Sequence, residues 1–388
     1  MGPAVADGYH LQGISGRMLR AGAAVSRSVL EPLPVVRKGS VADAAPAMRA
    51  SPAQTRTERF SVYLQDADFV AAPMVSVLMW TYNDRPHIER AIESVLAQVV
   101  DFSWELVISD DCSTDGTTEI LQRYQARHPR NIRLILSRVN LWKEGRITER
   151  LLRQARGKYV ALHHGDDEWT DPRKLKLQVE CLEKDADLAL VYHNVEYRYG
   201  GAAESDTLAF PSAGRAGTLP PPPSTTTFRD LLKGRVIPTL SVMYRTAFLQ
   251  EFPAWLSELA VGDWPVFLLL LRQGPGLYLD RVMGVYRQHA GGVWSSLGQA
   301  RMAQAYLKTA RVVANHIPMG AEDRREFDHG VWIRVLHCVE KQLQERQPGP
   351  ALSVLLEHAR RFPRQALANA YGYRLAAKAL GQAVGVFR

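Results

Sequence analysis

Residues 158–175 read KYVALHHGDDEWTDPRKL, an apolar run that stops abruptly at an acidic pair. Tyr159–Leu162 suits a buried strand, and Asp166 and Asp167 follow just past its end. Two carboxylates set side by side at a strand end repel each other and are costly to desolvate, unless a cation or hydrogen-bond donors offset them. A hard divalent cation such as Mg²⁺ or Mn²⁺, which takes oxygen ligands and bridges phosphates, is the natural partner. Helix capping is the plainer role for an acid here. It suits Asp171, which precedes Pro172 as an N-cap precedes a first-turn proline, better than it suits Asp166.

Upstream, MVSVLMW (residues 74–80) is a second apolar run and breaks at TYNDRP, a strand followed by a loop. Pro86 then opens a helix through HIERAIESVLAQ, with Ile88, Ala91, Ile92, Val95 and Leu96 recurring on its inward face. WELVISD (104–110) is another strand, ending in DDCSTDGT, where Thr114 or Asp115 caps the helix TTEILQRYQARH. IRLILS (132–137) is a further strand, and a helix from Arg146 to Gln154 leads back to Tyr159. Such alternation predicts an α/β fold with a mostly parallel, Rossmann-like sheet flanked by helices. Ligands of such sheets bind at the carboxyl ends of the strands, where the polar clusters lie.

Downstream, a helix runs to about Lys184 and Leu188–Tyr197 is a strand. Residues 198–227 hold GG, AGRAG and PPPPS and predict a long mobile loop. FRDLLKG is a helix, Thr239–Arg245 a strand, and a helix begins near Asp263; LYLDRVMGVYRQH reads as two short strands around a turn. Beyond Leu297 the pattern is helical, in three or so segments. Three regions follow: a largely unstructured leader over 1–72, with a short helix around Phe60–Phe69; the α/β domain over 73–296, divided into 73–190 and 191–296; and a helical region over 297–388.

Length and composition agree with this. The chain has 388 residues, 46% hydrophobic and 23% charged, which is ordinary for a globular protein with a large core. Its three cysteines, Cys112, Cys181 and Cys338, are far apart, which excludes a CxxC zinc knuckle and fits a reducing compartment. No apolar run is long enough to cross a membrane, and basic and small residues interrupt any signal-peptide core. The net charge of +8 is unevenly placed: from Leu297 onward 14 Lys and Arg face 7 Asp and Glu, a net +7. No acid follows Glu357, so this tail suits an anionic partner, or is simply a solvated basic face.

Three further clusters carry chemistry. In DDCSTDGT the acids are Asp110, Asp111 and Asp115. An EF-hand is excluded because position twelve, counted from Asp111, is Gln122. A carboxylate there can accept from the imide N–H of a pyrimidine base, while Thr114 and Asp115 shape the turn. Asp263, in VGDWPVF, either caps its helix or serves as a general base toward an acceptor hydroxyl. The segment YRQHAGGVWS brings Tyr286, Arg287 and His289, and taken alone His289 is a satisfied surface histidine. TYNDRP is neither a phosphate-binding glycine loop nor GxGxxG, which excludes P-loop nucleotidyl transfer and dinucleotide oxidoreduction.

Taken in order, SVLMWTYNDRP, ISDDCSTDGT, HGDDEWTDPRKL, GDWP and YRQHAGGVWS resemble glycosyltransferase family 2, the inverting enzymes of the GT-A fold, over about residues 73–296. The resemblance implies that Thr81, Tyr82 and Asn83 contact nucleotide, with Asp110 or Asp111 against the base. Asp166 takes the metal position of the DxD motif, supported by Asp167, and Asp263 is the catalytic base. His289 is a further metal ligand or diphosphate contact, and Arg287 neutralises the leaving diphosphate. One departure stands out: the first acid of DxD is His164. In many relatives that acid contacts ribose or a metal-bound water, so histidine leaves a less anionic site that donates to ribose instead.

The resemblance further implies a nucleotide-sugar donor, UDP- or dTDP-linked, a divalent Mg²⁺ or Mn²⁺, and a glycan or lipid-linked acceptor in surface polysaccharide or glycolipid synthesis. No nucleic-acid partner is expected. The protein is expected in the cytoplasm, with the C-terminal helices resting on the anionic inner face of the cell membrane. The competing expectation is a non-catalytic nucleotide-sugar-binding protein of the same fold, for which His164 is the one hint.

Overall fold

The computed structural model describes residues 61–64, 72–141, 147–199, 207–208, 224–234, 236–249, 252–259, 262–289, 291–292, 298–361 and 370–383. Of the expected leader over residues 1–72, only 61–64 and 72 are described; the rest of it and most of the 198–227 loop lie outside the described residues. Just before the α/β domain, Ser61–Leu64 forms strand β1 rather than part of a helix. Its alternation of polar and apolar residues fits an edge strand, and it pairs antiparallel with Ile132–Ser137 (β4).

The centre of the sheet is parallel. Val75–Thr81 (β2) is flanked by Trp104–Asp110 (β3) and Tyr159–His164 (β5), and β4 lies beyond β3. The chain therefore winds outward from β2 to β4 and returns on the other side of β2. That reversal of direction between β2 and β5 opens a crevice at the strands' carboxyl ends. Beyond β5 come antiparallel Met243–Arg245 (β10), then Leu190–Tyr199 (β7), and Gly276–Gln288 (β11) parallel to β7. The two-residue strand Glu168–Trp169 (β6) pairs antiparallel with β11. Short strands Thr207–Leu208 (β8) and Thr225–Thr226 (β9) join β7 and β11.

The period-two alternation sends neighbouring residues to opposite faces. On one face Val75, Val77, Met79, Leu106, Ile108 and Ala161 pack under Ile88–Leu96 (α1), Thr117–Arg127 (α2) and Lys174–Lys184 (α4). Ile88, Ala91, Ile92 and Val95 are fully buried, as their spacing predicts. On the other face Leu78, Val107, Val160 and Leu162 pack under Ile147–Leu152 (α3) and Asp263–Leu271 (α6). Both faces are covered, which is why the central strands are mostly apolar, and Ser76 and Glu105, also fully buried, hydrogen-bond each other.

Two boundaries differ from the sequence expectation. Thr239–Ser241 is a 3-10 turn, and only Met243–Arg245 pairs as strand, because Pro238 and the turn bring Thr239 toward α6. Residues 276–288 form one strand instead of two. Register shifts after Leu279 and Val282 absorb DRV as bulges while pairing with β7 continues.

The helical region comprises Gly298–His316 (α7), Ala321–Gln344 (α8), Pro348–Arg361 (α9) and Ala370–Ala383 (α10). Leu307, Val313, Val331, Val335, Val354 and Leu375 belong to the same core as Val266–Leu268 of α6. Contact with Phe228–Leu232 (α5) is especially close: a methyl group at Gly330 of α8 would meet the Leu232 carbonyl at 2.0 Å. Among the described residues no helix is long and apolar enough to cross a membrane.

Candidate active site

The crevice between β2 and β5 gathers the ends of three strands, with Thr81 opposite Asp110 and Trp80 opposite His164. After β2 the chain turns sharply at Asn83, whose φ of 56° is left-handed. Asparagine tolerates that conformation because its side chain hydrogen-bonds locally. Here Asn83 Oδ1 accepts from Thr114 N at 2.8 Å, and Ser113 Oγ accepts from Asn83 N at 2.9 Å. The β2 and β3 loops are thus tied together. Cys112, with φ 69°, turns the second loop in the same way.

Asp110 and Asp111 are each 1% exposed and work inside this structure. Asp110 Oδ1 accepts from Ser113 N and Oγ, and Oδ2 from Thr118 Oγ1. Asp111 Oδ1 accepts from Leu141 N at 2.7 Å. Asp115 accepts from Thr117 N at 3.0 Å, one residue past the Gly116 cap. Asp171 is not the N-cap its place before Pro172 predicts: α4 begins at Lys174 with Arg173 at the cap, and Asp171, two residues earlier, accepts from Arg173 N at 2.9 Å while pairing with Arg281.

The acidic turn follows β5. Gly165 N donates to Trp80 O at 2.8 Å and pins the turn against β2. Glycine is required, because a Cβ here would fall 2.5 Å from Asp84 Oδ2 and 2.6 Å from Thr81 Oγ1. The pairing of β6 with β11, Val285 opposite Glu168, then brings the YRQH segment alongside. Arg287 N donates to Asp167 Oδ1 at 3.2 Å, and His289 Nε2 lies 3.2 Å from Asp166 Oδ2 across 123 positions of sequence. Arg287 Nη2 also pairs with Glu168 Oε2 at 2.5 Å.

Burial and neighbouring charge divide the acids. Burial pushes Asp166 up, but the hydrogen bond to His289 and the charges of His164 and His289 outweigh it and hold its carboxyl below 3.8. Burial, then the Asp166 charge, push Asp167 up to about 6. His164 loses by burial but gains more from its Asp167 contact, 3.4 Å away, and is raised. His289 is raised chiefly by its bond to Asp166, whereas His87, whose ring lies tilted against it at 4.9 Å, is lowered by burial and by the His289 charge.

Asp263 opens α6, close enough for its charge to act on His164. Its oxygens accept from Thr239 Oγ1 at 2.8 Å and from Trp264 N at 2.7 Å. Trp264 in turn stacks on Tyr306 of α7 at 5.1 Å and Phe327 of α8 at 6.0 Å, so the helical region braces the base of this loop. Tyr82, by contrast, is half-exposed at the rim.

Three residues of the site were not singled out in the sequence: Asp84, His87 and Glu168. Asp84 is buried and accepts at Oδ2 from Thr81 Oγ1 (2.8 Å) and Tyr82 N (3.2 Å). An acid directly after the Tyr82–Asn83 turn, at the end of a buried strand, was the signal. Ligand atoms of Asp84, Asp166 and His289 all lie within 4.8 Å of one another, as do those of His164, Asp166 and Asp167. Carboxylate oxygens with one imidazole form a donor set suited to Mn²⁺ or Mg²⁺.

Comparison with known proteins agrees. The glycosyl transferase family 2 pattern matches residues 76–250. Bacillus subtilis TuaG, named as a glycosyltransferase of teichuronic acid biosynthesis, is 33% identical over 204 residues, 49% of this chain and 73% of TuaG. Uncharacterized proteins of Mycobacterium bovis and Mycobacterium tuberculosis are 34% identical over 224 residues, 57% of this chain and 61% of theirs. The chain thus spans about three fifths of the length of these mycobacterial relatives. Among solved structures, Staphylococcus aureus TarS 1-349 with UDP-GlcNAc superposes with a TM-score of 0.57 at 18% identity, over 79% of this chain and 88% of that one.

Proposed function

The chain belongs to glycosyl transferase family 2, and from that premise we propose that it moves a sugar from a UDP- or dTDP-linked donor to an acceptor hydroxyl, with inversion at the anomeric carbon. The observation that carries this is the meeting of Asp166 with His289 at the end of β5, with Asp263 near enough for its charge to reach the adjoining His164. A diphosphate site and a carboxylate able to take the acceptor's proton are what a direct displacement needs. That the TarS structure of the same fold contains UDP-GlcNAc supports the donor class.

The chain's residues have distinct tasks. The tied loops at Asn83 and Asp110–Ser113 frame the nucleoside, and Thr81 and Tyr82 border it. Asp166 and His289, with Asp167 behind them, hold a divalent cation. That ion, when bound, supplies positive charge to the departing diphosphate. Arg287 adds a second positive charge there once it exchanges Glu168 for phosphate oxygens. The acceptor oxygen forms its bond to the anomeric carbon as the bond to the diphosphate oxygen breaks, and the acceptor proton passes to Asp263. Thr239 Oγ1 and Trp264 N fix that carboxylate's orientation, so it is positioned before the acceptor arrives. His164, a third exposed at the mouth, donates to ribose.

The acceptor belongs to a surface polysaccharide or glycolipid, and the basic helical region rests on anionic lipid at the cytoplasmic face. A panel of nucleotide sugars with Mn²⁺, followed by nucleoside diphosphate release, tests the assignment. One donor is expected to turn over, and Asp263→Asn to lower kcat about 100-fold or more with little change in donor KM. Absence of release with every donor, and no difference in Asp263→Asn, would return the chain to a binding protein.

A further inference from the structure

Asp166 is shared by two groups of ligand-bearing side chains, one with His164 and Asp167, the other with Asp84 and His289. The first group is closed upon itself. Asp167 is 1% exposed, its Oδ1 accepts from Arg287 N, and its Oδ2 faces His164 Nδ1 at 3.4 Å. The imidazole there neutralises the acid that a cation would need.

The second group is open. Asp84 is 8% exposed, and its Oδ2 is fixed by Thr81 Oγ1 and Tyr82 N, so its orientation is set before anything binds. No lysine or arginine pairs with it among the described residues; the charges that act on it are the like charge of Asp166 and, more weakly, the imidazole of His289. The chain tolerates this at the cost of a glycine at position 165, since any side chain there would displace the Asp84 carboxylate. A buried, pre-oriented carboxylate facing a second carboxylate and an imidazole is an arrangement completed by a cation.

We propose that Asp84 is a third protein ligand of the divalent cation held by Asp166 and His289, and that it restores to the site the carboxylate that position 164 lacks. The inference rests on reading that site as the donor's metal site. Two carboxylate oxygens and one imidazole nitrogen leave coordination positions for phosphate oxygens and water. The imidazole favours Mn²⁺ over Mg²⁺, which prefers an all-oxygen shell.

The test uses EDTA-stripped full-length protein titrated with Mn²⁺ alone, followed by water-proton relaxation and by the EPR signal of free Mn²⁺. Wild type is expected to bind one ion. Asp84→Asn is isosteric and keeps both internal hydrogen bonds, and it is expected to weaken Mn²⁺ binding about 100-fold, at the upper end of what even outer partners of a metal cost. Its melting temperature in EDTA should equal or exceed that of wild type, because a like-charge contact has gone. Thr81→Val, which frees the Asp84 carboxylate without changing charge, should weaken binding about tenfold. Wild-type affinity in both folded variants would overturn the role of Asp84 and leave the Asp166–His289 site standing. Absence of Mn²⁺ binding in wild type would overturn the site reading and this inference together.

Discussion

His163 offers a sharp test of how the wall of the crevice is built. It precedes His164 on β5, is 0% exposed, and packs edge-on against Trp169 at 4.8 Å. Its Nδ1 lies 2.7 Å from the His164 carbonyl, to which it donates as the neutral imidazole, while Nε2 is buried without a partner. Burial drives its pKa down from 6.5 to about 3. A histidine whose folded pKa is depressed contributes stability that is fully present above 6.5 and is lost as pH falls toward the folded value. At pH 5 about one and a half pH units of that difference have been spent, or about 2 kcal/mol. Replacement by methionine removes the titration, together with a hydrogen bond whose loss is the same at every pH. The stability gap between wild type and His163→Met should therefore shrink by about 2 kcal/mol between pH 8 and pH 5, about 3 °C in Tm for a chain of this size. Differential scanning fluorimetry in EDTA at both pH values reads this directly. Parallel acid limbs for the two proteins would refute the premise that burial holds His163 neutral.

Three other outcomes are expected. Asp171→Ala should lower stability by about 1 kcal/mol through the lost bond from Arg173 N, without altering donor KM, as thermal melts and kinetics would show. Trp264→Phe keeps the stack on Tyr306 and Phe327 in part and should fold, with a kcat loss exceeding any change in donor KM; an unchanged kcat would detach the brace from Asp263. Reversing the exposed charges Arg360, Arg374 and Lys378 to glutamate should abolish cosedimentation with vesicles rich in anionic lipid, and unchanged cosedimentation would remove the membrane from the proposal. Charge reversal is preferable to deleting the tail, since Ala351, Val354, Leu375 and Ala379 are core residues.

The central fold was legible because its strands are buried on both faces and bounded by loops of strong local character. The parallel direction of β2 to β5 follows from that alternation, whereas their order across the sheet is seen only in the structure. The half over residues 191–296 was harder to read. DRV in β11 looks like a turn, yet a bulge keeps the strand paired with β7, a choice made by the neighbouring strand rather than by local residues. Ser61–Leu64 is likewise a strand only because β4 offers it an edge. In the site, the acids at strand ends were visible, but their division of labour was not. Nothing in DDCSTDGT says that Asp110 turns inward to Ser113 and Thr118, or that Asp84 would meet His289 from more than 200 positions away in the chain.

The contact at Gly330 bears on how such proteins can be recombined. A hydrogen at that Cα is all that fits against the Leu232 carbonyl, and Arg334 Nη2 reaches Gly234 O at 3.0 Å one turn further along α8. The helical region is therefore keyed to the loop after α5. A chimera that exchanges the segment after residue 297 between relatives must carry residues 232–234 with it, or restore glycine on the incoming helix. Without that match α8 will be held away from the loop after α5, and the graft will fail for want of one methyl group's space.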